Sequence, residues 1–479
     1  MLVENIPLSK IGSNSQLRND VKYNSFTTLH DWKAFPNFNE HIKISDILIR
    51  LPVKKIKKGD LERKVIVINI PDQTPNSGNL NIDSDSFVDS IGSDKTILTN
   101  SDLIFSKLGT SKGNIYLNEI VGEEVLGSSE FIPFKFKNSK HKKVYLYLFL
   151  TPELREIYSY LESGKTPSHR RVNPEEFLKI KIPRLNEKTL DILSEKIEEY
   201  ETEMKEYKTL LTPMRDIINK VFGDYFGYEP DLYYKYGKGM TYGTKFGHDK
   251  QLRVTNIKVH SISKSSNLRM SVRINNNISY FISGIIDRMD TEIIRNLVES
   301  PVSRGSTPTY SSQGEIPVIK TGHLTNYEVI KSNEFVSRNF YDKRKKGRIN
   351  KGDILLASTG KGSLGKIDLF TDDETSFADS HLTIIRINPE KYNSQFLVYW
   401  LRSLLGVYQI ESSYTGSTNQ IELSDTDIEE YKVPKISLNE QSKIIEEISS
   451  NYIKQNGFKF KIKELRNDIE NLIINNIIN

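Results

Sequence analysis

The feature that most constrains the fold is a heptad pattern between Leu185 and Phe222. Its large residues recur in alternating steps of three and four, at Leu190, Leu193, Ile197, Tyr200, Met204, Tyr207, Leu211, Met214, Ile218 and Val221. Such a seam is typical of a coiled coil, and the charged residues between its members predict a long exposed helix that needs a partner helix. A core helix would explain one heptad, but about four and a half heptads favour the coiled coil. Pro213 predicts a kink or an interruption near the end of this helix.

A second helical stretch, at the end of the chain, supplies the partner. Ser437 and Glu440 form an S-x-x-E capping box, which predicts a helix from Leu438 to the terminus. The pattern shifts phase by one residue near Gly457, where we expect a bend. The seam of this helix consists of Ile445, Ile448, Tyr452, Phe458, Ile462, Leu465, Ile469 and Leu472.

The two blocks framed by these helices are copies of one unit, displaced by the 251 residues that separate Leu17 from Leu268. Matches at this shift recur in the same order along the chain, which is the signature of an internal repeat. The final match ends at Pro183 and Pro434, each followed by a long helix. The matched phrases are LRNDVKYN with LRMSVRIN, VIVINI with IPVIKT, NSDLIFSKLG with KGDILLASTG, SEFIPFKF with SHLTIIRI, and FLKIKIP with IEEYKVP.

The repeat predicts an α+β fold with two pseudo-repeated mixed α/β domains separated by two long antiparallel coiled-coil helices. Short β-branched runs with polar turns between them indicate the strands of each domain. The predicted organisation is domain 1 at residues 1–184, the central helix at 185–222, a glycine- and tyrosine-rich linker at 223–252, domain 2 at 253–436 and the C-terminal helix at 437–479.

Composition bounds the class of protein. At 479 residues the chain is long enough for two or three domains. It has no run near the roughly 18 uninterrupted apolar residues of a membrane helix. Its first residues lack the basic start and apolar core of a signal peptide, so we expect a cytoplasmic protein. The absence of cysteine excludes disulfides, thiolate zinc sites and cysteine nucleophiles.

The formal net charge is +5, and the basic residues occur in clusters. We expect these clusters to lie in loops away from the acidic coiled-coil helix, which favours a polyanionic partner over simple solvated surface. The clusters are Lys54, Lys55, Lys57 and Lys58; Lys140, Lys142 and Lys143; His169, Arg170 and Arg171; and Lys343, Arg344, Lys345, Lys346 and Arg348.

One glycine-rich passage, GKGSLGK from Gly360, fits the pattern of a phosphate-binding loop. Such a loop needs a helix directly after it, so that backbone N–H groups and the helix dipole face the anion. Here the strand-like IDLF follows, Ile367 occupies the place of the Walker Ser or Thr, and the copy GTSKGNIYL from Gly109 keeps neither pattern. A glycine-rich hairpin is the better interpretation.

The sequence indicates no other chemistry. Its eight histidines are scattered without metal-ligand spacing, no N-P-P-Y or D-P-P-Y tetrapeptide is present, and no nuclease arrangement follows an aspartate-bearing strand. The sequence therefore predicts a chain that binds, is not an enzyme, and uses no cofactor or metal.

The second copy contains five phrases that together are specific. They are GSTP from Gly305, IPVIKTG from Ile316, GDILLA from Gly352, GSTNQ from Gly416 and the helix entry VPKISLNEQ from Val433. In this combination the copy closely resembles a target recognition domain of the specificity subunit of type I restriction–modification systems. The resemblance covers about 175 residues, and the internal repeat extends it to the whole chain.

The resemblance implies a non-catalytic subunit with two target recognition domains at opposite ends of an antiparallel helix pair. Each domain would read one half of a bipartite double-stranded DNA site. The partners implied are two methyltransferase (M) subunits and, where cleavage occurs, restriction or translocase (R) subunits. The first copy lacks the GSTP phrase and carries Gly164-Lys165-Thr166 in place of Gly416-Ser417-Thr418. This divergence fits either a domain that reads other bases or one that has been repurposed.

We predict that polar loops of each domain contact the DNA, with basic side chains on phosphates and a few polar side chains on base edges in the major groove. In domain 2 the predicted residues are Lys320, Thr321, His323, Asn326, Tyr327, Lys343, Arg344, Lys346, Arg348, Lys361, Ser363, Tyr414, Thr418, Asn419 and Gln420. In domain 1 they are Gln73, Asn76, Lys107, Ser111, Lys112, Lys165, His169, Arg170 and Arg171.

Helices of this length would also act as a ruler, because about 35 helical residues span roughly 50 Å. That length predicts an unspecified spacer of several base pairs between the half-sites. Two other hypotheses stay open. One is a nucleotide-dependent enzyme or a nuclease with a DNA-binding frame, and the other is a scaffold or decoy that binds a methyltransferase but not DNA.

Overall fold

A computed structural model describes residues 20–61, 63–82, 86–164, 166, 169–230, 232, 277–360, 362–417 and 420–478. Its contacts divide the chain into two compact units. Unit 1 is Met1–Leu210 with Phe458–Asn479, and unit 2 is Leu211–Gly457. The repeat phrases that begin at Leu17 and Leu268 fall mostly outside the described residues, as does most of the predicted linker.

Unit 1 contains two β-sheets and one short strand pair. The strands are β1 (His41–Lys43), β2 (Leu48–Arg50), β3 (Lys55–Ile56), β4 (Val65–Ile68), β5 (Phe87–Val88), β6 (Lys95–Ile97), β7 (Leu103–Ser106), β8 (Ile115–Leu117), β9 (Val125–Gly127), β10 (Phe131–Phe136) and β11 (Lys181–Pro183). The sheet orders are β2–β10–β7–β8 and β3–β6–β9–β4–β5, and β1 pairs with β11. The pair β4 and β9 is parallel, whereas the neighbouring pairs are antiparallel.

The core of unit 1 lies between the first sheet and a layer of helices. Phe177 is the centre of this core, because the rings of Phe105, Phe134, Phe149 and Tyr158 all contact it within 6 Å. Aromatic side chains of this size bury large apolar areas and dominate core energetics. The helices are Val21–Asn24, Ser25–Leu29, Ile44–Ile47, Lys142–Phe149, Pro152–Leu161, Pro174–Lys179 and Glu187–Thr209, with 3₁₀ turns at Ile70–Asp72 and Thr110–Lys112.

Unit 2 has the same plan. Its strands are β12 (Thr291–Ile293), β13 (Ser303–Arg304), β14 (Ile316–Ile319), β15 (Phe335–Val336), β16 (Arg348–Ile349), β17 (Ile354–Ala357), β18 (Ile367–Leu369), β19 (Ser376–Ala378), β20 (Leu382–Ile385), β21 (Thr415–Ser417), β22 (Gln420–Glu422) and β23 (Lys432–Pro434). The sheet orders are β13–β20–β17–β18 and β15–β14–β19–β16, and β12 pairs with β23. A further hairpin joins β21 and β22.

The core of unit 2 is centred on Trp400, whose ring is fully buried. Phe222 packs edge-on against Trp400 at 5.6 Å, and the indole N–H donates to the carbonyl oxygen of Lys432 (2.9 Å). The helices are Met214–Phe226, Asn277–Asp287, Arg338–Lys343, Ser394–Arg402, Leu404–Ser413, Asp425–Glu429 and Leu438–Ile478, with 3₁₀ turns at Ile294–Asn296 and Thr321–His323.

The strand registers of the two units coincide at the predicted shift. In unit 1, Leu103 of β7 pairs with Phe134 of β10, and in unit 2, Ile354 of β17 pairs with Ile385 of β20. In the parallel pairs, Val67 stands opposite Leu126 and Val318 stands opposite Phe377. Each of these positions moves by 251 residues from one unit to the other. Because a slip of one residue would turn every side chain to the other face, this agreement confirms the predicted duplication.

The helix pair is present in both units. In unit 1, the helix Glu187–Thr209 buries Leu190, Leu193 and Ile197 in the same core as Ile469 of the C-terminal helix. In unit 2, Met214–Phe226 and the first part of Leu438–Ile478 share one core. In unit 1 the ring of Tyr207 contacts that of Phe458, and the charge of Glu201 acts on Arg466, so the two helices run antiparallel there. In unit 2 Gln455 accepts the N–H of Thr212, and the charge of Glu447 acts on Lys220, which gives the same direction.

Pro213 interrupts the first helix, as its sequence position predicts. The helix that begins at Glu187 ends at Thr209, and the next begins at Met214 with Pro213 as its N-cap. The C-terminal helix is continuous through Gly457, and a bend there stays a prediction. Its capping box is confirmed, since the Ser437 N–H donates to Glu440 (3.0 Å) and the Glu440 N–H donates to the Ser437 hydroxyl (3.3 Å). Among the described residues, no helix combines the length and apolar character required to cross a lipid bilayer.

Candidate nucleic-acid interface

The parallel strands β14 and β19 end at one edge of unit 2, and seven of the fifteen residues predicted for DNA recognition in this domain lie there. Asp379, directly after β19, donates its N–H to the carbonyl oxygen of Ile319 at the end of β14 (3.0 Å). Lys320 therefore lies beside residues 379–381. Parallel strands deliver the residues that follow them to a common edge, which explains why segments 59 residues apart meet here.

Backbone hydrogen bonds attach further segments to this edge. Ser358 donates its N–H to His381 (3.0 Å) and accepts the N–H of Leu423 (2.9 Å). Ser306 donates its N–H to Ala378 (3.1 Å) and its hydroxyl to the carbonyl oxygen of Lys346 (3.0 Å). We define the unit 2 edge as residues 305–306, 320–323, 343–346, 358–360, 379–381 and 420–422.

The first predicted residues of the loop after β14 lie on the unit 2 edge. Lys320 forms an ion pair with Glu334 and stands 4.6 Å from the centre of the Tyr310 ring. Thr321 and His323 are half-buried, and Nδ1 of His323 accepts the N–H of Lys320 (3.0 Å). Burial lowers the pKa of His323 below its ordinary value of 6.5, so the ring is neutral near pH 7.

The tip of the same loop is used inside the protein. The N–H groups of Thr325 and Asn326 both donate to Asp368 (2.8 and 3.0 Å), and the Asn326 side-chain oxygen accepts the N–H of Ile367 (3.0 Å). The ring of Tyr327 stacks on that of Tyr452 in the C-terminal helix. The polar groups predicted here for DNA are thus engaged within unit 2.

The basic run after the helix Arg338–Lys343 divides into two kinds of residue. Lys343, Arg344, Lys345 and Lys346 are exposed, and none of them has an ion-pair partner within the part of the chain that the structure describes. Arg348 is different, because its guanidinium donates to the backbone carbonyls at positions 341, 342 and 344 and lies 4.8 Å from the Tyr341 ring. Arg348 therefore shapes the loop, and the exposed residues before it are the ones free to meet a phosphate.

The glycine-rich passage is a hairpin turn. Strands β17 and β18 pair antiparallel on either side of it, and no helix follows, which confirms the predicted hairpin. Ser363 lies half-buried in this turn, and the Gly360 N–H donates to Ile421 of β22 (3.0 Å). Gln420 is exposed on β22 and Tyr414 is half-buried before β21. The predicted residues Lys361, Thr418 and Asn419 lie outside the described residues.

Unit 1 has an equivalent edge, assembled by equivalent hydrogen bonds. Ser128 donates its N–H to Ile68 (3.0 Å), as Asp379 does to Ile319. Lys107 donates its N–H to the carbonyl oxygen of Glu130 (3.0 Å) and accepts the N–H of Val172 (2.9 Å). Ser358 of unit 2 makes the same two bonds, with His381 and Leu423. We define the unit 1 edge as Asn69, Lys95, residues 107–112, 128–130 and 169–171.

A half-buried carboxylate lies at the centre of the unit 1 edge. Arg171 holds Glu130 through two hydrogen bonds of 2.9 Å each, and Lys107 approaches it at 3.5 Å. The hydrogen bond from Arg171, with the charge of Lys107, lowers the pKa of Glu130 against the opposing effect of burial. The predicted residues Lys107 and Arg171 are therefore adjacent, and each already faces an anionic group.

The other predicted residues of the unit 1 edge are mostly exposed. Ser111 donates both its N–H and its hydroxyl to Glu162 (3.2 and 2.6 Å). Lys112 and Arg170 extend from the edge without an ion-pair partner in the described part of the chain, and exposed His169 contacts Thr166. Lys165 lies outside the described residues.

Gln73 is buried in unit 1, and Asn76 is half-buried. Gln73 is 5% exposed, and its amide exchanges two hydrogen bonds with the backbone of Asn81 (2.8 and 3.1 Å). Asn76 has a left-handed backbone with φ of 59° and accepts hydrogen bonds from Arg466 of the C-terminal helix. Both amides stabilise their loop, so neither is presented to a ligand in this structure.

The edges also contain residues that sequence reasoning missed. Lys95 donates to the side chain of Asn69 (2.8 Å) on the unit 1 edge, at the position 251 residues before Lys346. On the unit 2 edge, Thr359 contacts His381 (2.6 Å), and Glu422 forms an ion pair with Arg304, which directly precedes the edge. The signal for Lys95 was available, because carrying Lys346 back by the repeat shift leads to it.

One basic cluster lies where it was not expected. Lys140 and Lys143 contact Asp191 (2.7 Å) and Glu198 (2.5 Å) of the first long helix, so this cluster packs on the acidic helix. The expectation that it lies in a loop away from that helix was wrong. The carboxylates attract it because the helix carries them at successive turns. In the described residues one His–carboxylate group of metal-ligand type occurs, His141 with Glu187 and Asp191, and Lys140 already supplies its positive charge.

Residues 294–466 match a family model described as the type I restriction modification DNA specificity domain. No curated protein matches the chain.

Solved structures give low-identity matches over most of the length. One is the type I restriction–modification S subunit from M. genitalium, with 14% identity, TM-score 0.39, and coverage of 91% of this chain and 96% of that one. Another is the HsdS subunit from Thermoanaerobacter tengcongensis, with 11% identity, TM-score 0.32, and coverage of 91% and 96%. A third comes from work on complex assembly and conformational transition of the type I R-M system, with 12% identity, TM-score 0.37, and coverage of 91% and 95%.

Proposed function

Since this chain is a DNA specificity subunit of a type I restriction–modification system, with the family's DNA specificity domain at residues 294–466, we propose that it reads a bipartite DNA site through two equivalent edges. The unit 2 edge would read one half-site and the unit 1 edge the other. Subunits of this family are recognition subunits without catalysis of their own. The target base would therefore be modified by a partner.

The observation that carries the proposal is the repeated assembly of the edge. Backbone hydrogen bonds at positions 68, 107, 128 and 172 recur at 319, 358, 379 and 423. The side chains at these edges differ in charge, since Glu130 corresponds to His381 and Arg171 to Glu422. One backbone frame with two sets of side chains suits the reading of two different half-sites.

The chemistry of each edge suits duplex DNA. Exposed cations, chiefly residues 343–346 in unit 2 and Lys112 with Arg170 in unit 1, would neutralise phosphates and supply affinity that depends on salt. The hydroxyl, imidazole and amide groups between them would contact base edges, where direction and spacing of donors and acceptors carry specificity. The residues we propose for base contacts in unit 2 are Lys320, Thr321, Thr359, His381 and Gln420.

We further propose that the helix pair joins two methyltransferase subunits, with restriction subunits added when the system cleaves. A coiled-coil frame with a duplicated plan offers two similar docking surfaces, one for each copy of a partner. The exposed polar faces of the long helices are compatible with such docking.

The proposal is tested by selection of DNA from a random duplex library with the chain reconstituted with its methyltransferase subunits. We expect two short sequences separated by a gap of fixed length. Substituting Thr359 and His381 with alanine should relax only one of the two sequences, whereas substituting Lys112 and Arg170, which we assign to phosphates, should weaken binding and leave both sequences unaltered. Assembly with the methyltransferase but no enriched sequence would contradict the proposal and favour a scaffold or decoy.

A further inference from the structure

The loop Lys320–Ile330 connects the unit 2 edge with the helix pair. It leaves the end of β14 at Lys320, reverses at the hairpin tip (residues 325–328), and returns through Ile330, whose N–H donates to His323 (2.9 Å). At the reversal Asn326 has a left-handed backbone with φ of 65°. Asparagine tolerates that conformation better than most residues. The base of the loop is thus on the edge, and its tip lies elsewhere.

The hairpin tip is clamped on a buried ion pair. Asp368, with a side chain 0% exposed, accepts the N–H groups of Thr325 and Asn326 and pairs with Arg402, whose side chain is 10% exposed. Arg402 also donates to the carbonyl oxygen of Ile367 (2.6 and 3.1 Å). Burial raises the pKa of Asp368 to about 6, against the charge of Arg402 and the two backbone donors. Breaking such a pair leaves a buried charge without a partner, so the clamp resists loosening.

The hairpin tip also contacts the C-terminal helix. The rings of Tyr327 and Tyr452 stack with centroids 5.9 Å apart and planes 11° from parallel. Tyr452 belongs to the helix Leu438–Ile478 and packs against the unit 2 core. The hairpin tip is therefore held on one side by Asp368 of strand β18, and on the other side the ring of Tyr327 packs on the C-terminal helix.

Unit 1 repeats the arrangement with different chemistry. Its loop after β4 reverses at Asn76, which donates its N–H to Gly113 (3.0 Å) as part of the sheet side of the contact. On the helix side, Arg466 donates to the Asn76 carbonyl (3.1 Å) and to its side-chain oxygen (3.3 Å). Arg466 is itself held 4.3 Å from the Tyr147 ring. The two equivalent loops are therefore both attached to the C-terminal helix, by the stacked ring of Tyr452 in unit 2 and by the guanidinium of Arg466 in unit 1.

We propose that these two loops set sequence discrimination from the helix side, with Asp368, Tyr452 and Arg466 as positioning residues that touch no base. The proposal rests on the proposed function. Its physical basis is preorganisation, because DNA would have to order an unfastened loop at a cost in backbone entropy that the fastened loop has already met on folding. Phosphate contacts supply most of the affinity for any sequence, so loosening the loop should reduce discrimination and spare non-specific binding.

The test uses the full chain in its methyltransferase complex and compares Tyr452→Ala, Tyr452→Phe and Ile453→Ala. Tyr452→Ala removes the stack, Tyr452→Phe keeps it, and Ile453 is a control on the same helix that is 70% exposed. The ratio of Kd for a random duplex to Kd for the selected site should fall roughly 2- to 12-fold for Tyr452→Ala only. The slope of log Kd against log salt should not change. Relaxed bases should fall in one half-site, and Arg466→Met should relax the other half-site.

Separate outcomes distinguish the two proposals. If the unaltered complex shows no sequence preference, the proposed function and this inference both fail. If the unaltered complex discriminates and Tyr452→Ala discriminates equally well, only the inference is overturned. An equal loss of affinity for all sequences would also overturn it, because that result indicates damage to the whole fold. Thermal unfolding of each variant establishes that it is folded at the assay temperature.

Discussion

The basic run of the unit 2 edge gives a prediction whose size follows from the structure. Replacing Lys343, Arg344 and Lys346 with alanine removes three exposed cations that have no ion-pair partner in the described part of the chain. If each neutralises one phosphate, the slope of log K against log salt should flatten by about 0.9 per residue, or about 2.7 in all. Between 50 and 200 mM salt, those contacts should cost the unaltered protein about 40-fold in affinity, a loss that the variant does not undergo.

Fluorescence anisotropy of a labelled duplex at several salt concentrations measures this slope. Both the selected site and a random duplex should be affected, since phosphates carry no sequence information. The matched control replaces Lys140, Lys142 and Lys196, which face Asp191 (2.7 Å), Glu119 (3.0 Å) and Glu199 (2.7 Å). It changes the formal charge by the same amount without removing an unpaired cation. An unaltered slope in the test variant, or equal flattening in the control, would refute the assignment of this loop to the phosphates.

Three further predictions concern the helices, the edge and the core. Deleting one heptad from each long helix, in register, should change the preferred spacer of the DNA site and leave both half-site sequences unaltered. DNA selection measures the spacer and the half-sites together. Altered half-sites with an unaltered spacer would contradict the hypothesis that the helix length sets the spacer. Burial lowers the pKa of His323 in the folded protein, and its neutral ring accepts the Lys320 N–H. The free energy of unfolding that this ring contributes is therefore fully present above the pKa of about 6.5 that it has in the unfolded chain. That contribution is lost as the pH falls through the lower pKa of the folded protein. Urea unfolding should show that decline, and His323→Gln should lack it. Asp353→Ala should lower the free energy of unfolding by about 3 kcal/mol, because it leaves Arg386 half-buried without its two 2.7 Å hydrogen bonds. Lys351→Ala, which breaks only an exposed ion pair, should cost less than about 1 kcal/mol.

Much of the fold could be predicted because apolar spacing reports burial. The heptad residues Leu193 and Ile197 are fully buried, and the break at Pro213 occurs because proline lacks the N–H that a continuous helix requires. The repeat was visible because paired strands must keep the same register to bury the same faces. Residue spacing within one element is a local property, and a sequence states it directly.

The surroundings of the candidate site residues were harder to predict because their partners are distant in sequence. Asn326 and Asn76 look like polar loop residues free for DNA, but Asp368 and Arg466, 42 and 390 residues away, engage them. Exposure of a polar side chain depends on which segment folds over it, and spacing carries no information on that. The repeat shift adds Lys95 to the candidate residues, since it corresponds to Lys346 on an equivalent frame.

The shared strand register has a consequence for the history and engineering of this protein. In the paired strands and at the edges, positions that differ by 251 residues occupy equivalent points of the backbone. A side chain moved there from one domain to its counterpart therefore meets an equivalent main chain. The molecule therefore contains its own reference copy for each substitution at an edge. Exchange of Glu130 with His381 and of Arg171 with Glu422, as coupled pairs, would ask whether preference for a base travels with the side chains or stays with the domain.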